Sequence, residues 1–197
     1  MSLTSIVGKA FLPRQIKLQR HITDAETLQA TVLRHLLQRA ANTEYGRNHL
    51  FNNTRSYDDF ARNVPVNTYE ELKSDIDRMR HGESDVLWPG QVKWYAKSSG
   101  TTNDKSKFIP VSQEGLQHIH YQGGKDVVAL YLRNNPHSRL FDGRSLILGG
   151  SHSPNYNLPG SLVGDLSAIL IENINHLRFQ FNKRVHNQSR RLHNLLH

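Results

Sequence analysis

Apolar residues recur at helical spacing through the first half of the chain. After about twenty residues that we interpret as an irregular lead-in, apolar side chains return every three or four positions from Leu28 to Ala40. Thr23 followed by Glu26 fits a capping box, in which a hydroxyl and a carboxylate satisfy free N–H groups of a first turn. We therefore expect a helix that begins at Thr23 and a segment that ends by Gly46.

Two further helices are predicted before residue 90. Ser56 is placed to cap a short helix that Pro65 terminates, because proline lacks the N–H that a helix interior needs. Thr68 with Glu71 forms a second capping box, and the helix that it opens has apolar residues on one face. Gly82 is the predicted C-terminal stop of that helix.

The pattern changes to alternation after residue 90. Residues 92–96 alternate as a strand does, and residues 108–111 fit a second short strand. Ser112 is placed to cap a long helix that runs to about Arg133 and is interrupted at residues 123–124, which are both glycine. The region between 92 and 133 is therefore predicted to be strand, loop, strand and helix.

The last elements complete an α/β pattern. Residues 144–148 predict a buried strand, whereas the apolar run 165–172 fits a helix or a strand, because a short apolar run has no decisive period. Helices followed by strands that alternate with a helix indicate an α/β fold with a helical N-terminal cap. We find no internal repeat and no low-complexity linker, so one domain is the simplest interpretation.

Composition excludes several classes of protein. The chain has 197 residues and a mean hydropathy of −0.61, and no apolar run approaches the roughly 18 residues that a membrane span requires. It contains no cysteine, which excludes disulfide frameworks, thiolate zinc sites and cysteine nucleophiles. Lys9 and Pro13 break the short apolar pieces near the N-terminus, so no secretory signal is predicted. We expect a cytoplasmic protein with no membrane partner.

The net charge of +8 is concentrated near the C-terminus. Residues 176–197 contain five lysine and arginine residues and no acidic residue, so they supply most of the excess. Basic residues interleaved with Phe179 and Phe181 suit nucleic-acid phosphates, which makes a basic-tailed nucleic-acid-binding protein the alternative function. Against that alternative, the segment contains no recognised binding module, and the rest of the chain is only mildly basic.

The segment between the two predicted strands has the clearest chemistry. Four hydroxyl side chains surround a glycine and two lysines follow, so that N–H, hydroxyl and ammonium donors converge. Such a set of donors favours a bound polyphosphate, although the spacing is not that of a P-loop. Runs of Ser, Thr and Gly also occur in surface turns without a ligand, and this alternative stays open. The residues are Ser98, Ser99, Gly100, Thr101, Thr102, Lys105 and Lys107.

Three other sets of polar residues are candidates for chemistry. His118 and His120 lie two positions apart on a predicted helix, point in different directions and lack an obvious third ligand, so no metal site is predicted. The acidic pairs 58–59 and 70–71 lie in first turns of helices, where carboxylates stabilise the helix dipole. Residues 149–152 follow a predicted strand and either line a ligand crevice or form a simple turn.

The loop resembles the phosphate-binding motif of adenylate-forming enzymes. Residues 98–110 follow a predicted strand and have the pattern SSGTT-x-x-x-x-K-x-x-P. With its extra residue before the lysine, the pattern is similar to that of the auxin-responsive (Gretchen Hagen) acyl-acid amido synthetases and their bacterial relatives. The resemblance covers about residues 15–175 and includes TEYGRNHLF at 43–51, the stretch 57–83, and SLILGGS followed by GDLSAIL.

The resemblance implies both a fold and a reaction. The fold is α/β, as the incomplete N-terminal domain of the adenylate-forming (luciferase-like) fold with a helical N-terminal cap. The reaction is that of an ATP-dependent ligase, in which a carboxylic acid becomes an acyl-adenylate, pyrophosphate leaves, and an amino-acid amine displaces AMP to give an amide. The expected cofactors are ATP and Mg²⁺, and the expected partners are the carboxylic acid and the amino acid.

The resemblance also implies roles for the loop residues in ATP binding. It implies that the hydroxyl residues contact the β- and γ-phosphates and that the motif lysine offsets the charge of the leaving pyrophosphate. No catalytic residue and no metal ligand is assigned. Asn103 and Asp104 stand where the family often has glycine, so Asp104 must face away from the phosphates, pair with Lys105 or approach the metal. The residues implied for ATP binding are Ser98, Ser99, Gly100, Thr101, Thr102 and Lys107.

The resemblance ends before the chain does. The family's later motifs, for adenine, ribose and metal contacts and for a mobile C-terminal domain, do not occur before His197. We expect residues 1–175 to form a partial adenylate-forming domain. Residues 176–197 are then either the product of a shifted reading frame or a natural solvated tail. We expect a truncated chain without full activity, and a fragment that binds nothing specific is the remaining alternative.

Overall fold

Helices come first along the chain and a small sheet follows. The computed structural model describes residues 3–98, 106–144 and 146–174. Within those ranges, the helices that precede the sheet are α1 Leu3–Ala10, α2 Leu12–Thr23, α3 Ala25–Ala40, α4 Glu44–Asn48, α5 Tyr57–Asn63 and α6 Tyr69–Arg80.

The sheet has three strands in the order β2-β1-β3 within the described residues. The central strand β1, Trp94–Lys97, pairs antiparallel with β2, Phe108–Val111, and parallel with β3, Leu162–Gly164. A helical segment follows β2 and another follows β3. The first consists of α7 Gln113–Gly115, a π-helical turn Leu116–Tyr121 and α8 Gln122–Asn134. The second is α9 Leu166–Asn173.

Alternation along β1 creates a core on each face of the sheet. Tyr95 is fully buried against Ile76 and Met79 of α6 on one face. Trp94 belongs to the opposite core, with Leu116 of the π-helical turn and Ile169 of α9. Successive side chains of a strand point to opposite faces, so these two neighbours build both cores. Helices on both faces of the sheet make the architecture α/β, as the sequence predicts.

Local sequence signals define α6. The Thr68 backbone N–H donates to Glu71 Oε2 at 2.6 Å, and the Glu71 N–H donates to Thr68 Oγ1 at 3.4 Å. This is the predicted capping box. Gly82 follows the end of the helix with φ of +95°, a conformation that glycine adopts without strain, so the predicted stop is also confirmed. Ser56 likewise caps α5, in a full capping box with Asp59.

The predictions for the N-terminal helices were wrong in three respects. The first residues are helical, in α1 and α2, and are not an irregular lead-in. The Thr23–Glu26 capping box does not form, because α2 continues to Thr23 and its hydroxyl donates to the Arg20 carbonyl instead. Gly46 lies inside α4 rather than at a helix end. A Cβ there would lie 2.1 Å from the Ala40 carbonyl oxygen, so glycine permits close packing of α4 on the end of α3.

Three further differences concern the second half of the chain. Residues 144–148 form no strand where they are described, and Leu146 and Leu148 are 72% and 85% exposed, because no described strand pairs with them. The undecided run 165–172 is helical, and β3 was not predicted at all. The helix is not interrupted at residues 123–124, since its irregularity is the preceding π-helical turn. No helix in the described ranges is long and apolar enough to cross a bilayer.

Arg78 joins α4, α6 and the turn after α6 through carboxylates. Its guanidinium donates to Glu44 at 2.6 Å and also contacts Glu83 and Asp75. The hydrogen bonds from Arg78 are the main reason that the pKa values of Glu44 and Glu83 lie below their usual range. These carboxylates bind protons less readily in the folded chain than in the unfolded chain, so their contribution to stability is lost as the pH falls.

Replacement of Thr68 tests the cap of α6. Thr68→Ala removes the hydroxyl that accepts from the first turn, and we expect the free energy of unfolding to fall by about 1 kcal/mol. Ser74→Ala is the matched control, because Ser74 is exposed in the middle of the same helix and alanine is the better helix former there. Urea denaturation followed by circular dichroism measures both variants. Equal midpoints would contradict the capping role.

Replacement of Arg78 tests the origin of acid sensitivity. Arg78→Met should lower the urea midpoint at pH 7, and the gap from the wild type should narrow as the pH falls below 4.5, the ordinary pKa of Glu44 and Glu83. The direction follows because folded-state pKa values below the unfolded ones stabilise only at higher pH. Arg34→Met is the control, since Arg34 is exposed and forms no ion pair with the described residues. A gap independent of pH would contradict the assignment.

Candidate functional site

The hairpin of β1 and β2 fixes both ends of the predicted phosphate-binding loop. Lys97, the last residue of β1, pairs with Phe108, the first residue of β2. One step further along, the Ser98 N–H donates to the Lys107 carbonyl at 3.0 Å. The structure therefore brings together Ser98 and Lys107, two residues that the sequence assigns to phosphate binding. The other four, Ser99, Gly100, Thr101 and Thr102, lie outside the described residues.

The loop leaves the sheet at the carboxyl end of two parallel strands. Ala96 of β1 is in register with Gly164 of β3, so both strands end at the same edge. Ligands of open α/β sheets bind in the crevice at this edge. The position of the loop is therefore the one that a ligand-binding loop occupies in such folds.

The segment 149–152 lies beside the same edge. The Ser151 N–H donates to the Asp165 carboxylate at 2.8 Å, and the Gly150 N–H donates to Ser167 Oγ at 2.7 Å. The His152 ring lies 5.5 Å from the Trp94 ring. Residues 149–152 are thus held against the end of β3 and the start of α9, next to the crevice where the sequence predicted that they could lie.

Two lysines of the hairpin lie over aromatic rings. Lys97 Nζ is 4.2 Å from the centre of the Tyr156 ring, and Lys107 Nζ is 5.3 Å from the centre of the Tyr69 ring. Neither ammonium group forms an ion pair with a carboxylate of the described residues. The base of the loop therefore has two positive charges that no described acid neutralises, which suits an anionic ligand.

Arg80 connects α6 to the same end of the hairpin. Its guanidinium lies 3.8 Å from the centre of the Phe108 ring and donates to the Tyr156 carbonyl at 2.9 Å. Burial raises the pKa of the Tyr95 hydroxyl to about 12, although the positive charge of Arg80 lowers it. Arg80 Nε and the Tyr95 hydroxyl are buried and have no hydrogen-bond partner among the described residues.

Sequence reasoning missed the aromatic and arginine residues of this site. Tyr69 and Arg80 lie on α6, and Tyr156 lies in a 3-10 turn before β3. Their positions relative to the loop depend on how α6 packs on the sheet, and nothing in the local sequence reports that packing. For Tyr69 the sequence contained one signal, its place on the apolar face of the helix that Thr68 caps. That spacing indicated a core position and not a contact with the loop.

The remaining candidates have structural roles or lie elsewhere. Asp59 and Glu71 complete capping boxes, as expected for carboxylates in first turns. His118 and His120 lie in the π-helical turn, and no group of three or more His, Asp or Glu among the described residues could hold a metal ion. A cavity of about 490 Å³ lies between α3 and residues 51–60, and it shares no residue with the loop.

Comparison with known proteins identifies the family. Residues 14–190 match the GH3 family N-terminal domain, which is most of the chain. The chain belongs to the GH3 family. The resemblance inferred from the residues of the loop and of the preceding helices is thereby confirmed, and so is the adenylate-forming fold, since solved GH3 relatives share it over about 80% of this chain.

The similar GH3 proteins are amido synthetases. The indole-3-acetic acid-amido synthetase GH3.15 of Arabidopsis thaliana is 40% identical over 96 residues, which is 48% of this chain and 16% of that protein. A probable indole-3-acetic acid-amido synthetase of Oryza sativa subsp. japonica, GH3.7, is 35% identical over 106 residues, or 50% of this chain and 17% of that protein.

The solved structures give the same result for the fold. GH3.15 acyl acid amido synthetase superposes with a TM-score of 0.68 at 28% identity, covering 80% of this chain and 28% of that one. The same enzyme in complex with 2,4-DB gives a TM-score of 0.65 at 29% identity. The match therefore spans less than a third of each of these relatives.

Replacement of Gly150 tests the packing beside the crevice. A Cβ at this position would lie 2.2 Å from Asp165 Oδ2, so Gly150→Ala should displace the Asp165 carboxylate from the Ser151 N–H. We expect a loss of about 1–3 kcal/mol in the free energy of unfolding. Gly123→Ala is the control, because nothing lies within 4 Å of a Cβ there. If both variants unfold at the same urea concentration, the close approach of Gly150 to Asp165 is not required.

Proposed function

We propose that this chain binds MgATP at the loop between β1 and β2 and that it serves an ATP-dependent acyl acid amido synthetase reaction. In that reaction a carboxylate oxygen attacks the α-phosphorus of ATP and pyrophosphate leaves. The amine of an amino acid then attacks the acyl carbon, an amide bond forms, and AMP leaves with the electron pair of the broken acyl–oxygen bond. Ser98, Ser99, Gly100, Thr101, Thr102 and Lys107 are the residues that we assign to the phosphates.

One observation carries the proposal. The hairpin holds Ser98 and Lys107 opposite each other at the carboxyl edge of the sheet, with the ammonium groups of Lys97 and Lys107 not neutralised by any described carboxylate. Positive charge and hydroxyl donors at that edge favour the charge that develops on a departing pyrophosphate. The loop therefore binds and orients the leaving group.

The hydroxyl and ammonium groups of the loop fit a nucleotide whose phosphates already hold Mg²⁺. Mg²⁺ retains several waters and is usually held by one or two carboxylates together with substrate phosphates. The part of the chain that is described has no cluster of acids or histidines for a metal ion, and Asp104, the carboxylate within the motif, lies outside the described residues. Mg²⁺ bound to the phosphates would offset the charge that the lysines leave uncompensated.

The relatives support the substrate class. The curated relatives named above are indole-3-acetic acid-amido synthetases, and the solved one is an acyl acid amido synthetase with 2,4-DB bound. We assign a carboxylic acid and an amino acid to this protein as substrates, without a choice among acids. The sequence match spans 16% of GH3.15 and the structural match spans 28% of it. We therefore assign to this chain only the binding of the phosphates in the reaction.

Four further expectations stay predictions. The boundary between a domain at 1–175 and a basic tail at 176–197 falls outside the described residues, and so does the tail on which the nucleic-acid alternative rests. The relatives named above are amido synthetases, which does not favour that alternative. A cytoplasmic location and the absence of full activity in this chain are also predictions.

Replacement of the motif lysine tests the proposal. Wild-type protein should bind MgATP, and Lys107→Gln should weaken binding by about tenfold or more, because a charge-assisted contact to phosphate is lost. Ser98→Ala should weaken it less, since a neutral hydrogen bond is lost. Isothermal titration and the shift of the melting temperature by MgATP measure the effect.

The matched control for this experiment is Lys17→Gln. Lys17 is an exposed lysine on α2, a helix that packs mainly on α1, α3 and α8, so its replacement removes the same charge at a site away from Lys107. Its affinity for MgATP should equal that of the wild type. Equal losses in the two variants would indicate general electrostatic attraction, and no binding to the wild type would refute the proposal for this chain.

A further inference from the structure

The lysines at the base of the loop are each placed by a tyrosine that is distant in sequence. Lys107 lies over Tyr69, the first residue of α6, and Lys97 lies over Tyr156, which precedes β3. Both separations are within the roughly 6 Å at which a cation is attracted to the face of an aromatic ring. Each arm of the hairpin thus has a lysine over a tyrosine ring, although the two tyrosines come from distant parts of the chain.

Each ring is itself held in place. The Tyr69 hydroxyl accepts a hydrogen bond from the Phe108 N–H at 2.9 Å, which ties the ring to the strand that follows the loop. The Tyr156 ring lies 5.7 Å from the Phe108 ring, and its backbone carbonyl accepts from Arg80. Both rings therefore lie on the α6 side of the hairpin and are fixed to β2 and α6.

An aromatic ring positions a lysine without neutralising it. Lys73 shows the other arrangement in this protein, since its ammonium group donates to Asp77 at 2.6 Å and is compensated by that carboxylate. Lys97 and Lys107 have a ring instead of a carboxylate among the described residues. The ring restricts the ammonium group by attraction to its face but accepts no conventional hydrogen bond, so the N–H donors stay available to phosphate oxygens.

We propose that Tyr69 and Tyr156 are positioning residues for polyphosphate binding, which hold Lys107 and Lys97 ready at the two arms of the loop. Lys97 then becomes a second phosphate-binding lysine, in addition to the motif lysine. The inference rests on the proposed function of the loop. Its physical basis is pre-ordering, because a flexible lysine that is already placed loses less conformational freedom when the ligand binds.

Binding of magnesium tripolyphosphate to the 197-residue chain tests the inference, because this probe has the phosphates and lacks the nucleoside. Tyr69→Leu and Tyr156→Leu should each weaken binding by about two- to fivefold, the loss expected for a cation–ring attraction near a surface. Tyr156→Phe keeps the ring and should restore wild-type affinity. Tyr57→Leu, which removes a tyrosine that is 71% exposed on α5, should change nothing.

Double variants separate positioning from a structural role. If Tyr156 acts through Lys97, then Tyr156→Leu should cost no further affinity once Lys97→Gln is present, and Tyr69→Leu should cost none once Lys107→Gln is present. A tyrosine that merely supports the fold would give losses that add. Far-ultraviolet circular dichroism and melting temperature report on folding, and Tyr69→Phe keeps that ring if Tyr69→Leu unfolds the chain.

The outcomes distinguish this inference from the proposed function. If the wild type binds tripolyphosphate and the leucine variants bind equally well, or the losses add in the double variants, the positioning role is overturned and the proposed function stands. If the folded wild type binds neither tripolyphosphate nor MgATP, both fail. Leucine variants that lose affinity, phenylalanine variants that regain it, and non-additive double variants support the inference.

Discussion

The pairing of the short central strand β1 on both of its edges is the constraint on which the rest of the structure depends. All four of its residues pair with β2, and the first three, Trp94, Tyr95 and Ala96, also pair with β3. They also direct Trp94 and Tyr95 into separate cores. A shift of one residue would exchange these two side chains between the cores, so the register is strongly specified. The loop after Lys97 therefore emerges at a fixed point beside the end of β3.

Among the described residues, some cations are paired with carboxylates and others contact aromatic rings. Several cations of the helical region are paired with acids, as Arg14 is with Asp126 and Arg78 with Glu44, and these pairs join elements of the fold. The lysines at the base of the loop instead contact aromatic rings. A carboxylate would cancel their charge, whereas a ring leaves it available. The same residue types thus serve stability in one region and, on our proposal, ligand binding in the other.

Local signals predicted the parts of the fold that depend only on neighbouring residues. The caps at Ser56 and Thr68 and the stop at Gly82 were correct because each depends on contacts within about four positions. The strand at 108–111 was also correct, and it forms because β1 supplies the partner for its ladder. The strand at 144–148 was wrong, because an apolar run forms a strand only when a neighbour completes its ladder. The capping box at Thr23 was wrong because α2 continues through it.

The sequence by itself determined which hydroxyl and ammonium groups the loop contains, the α/β class and the resemblance to the GH3 family, since these depend on residue types, spacing and order along the chain. Only the tertiary structure decided which residues surround the loop. Phe108 meets Tyr69 across 39 positions, and Arg80 meets Tyr156 across 76. No local pattern encodes such contacts, because they exist only after α6 has packed on the sheet and the register of β1 has been set.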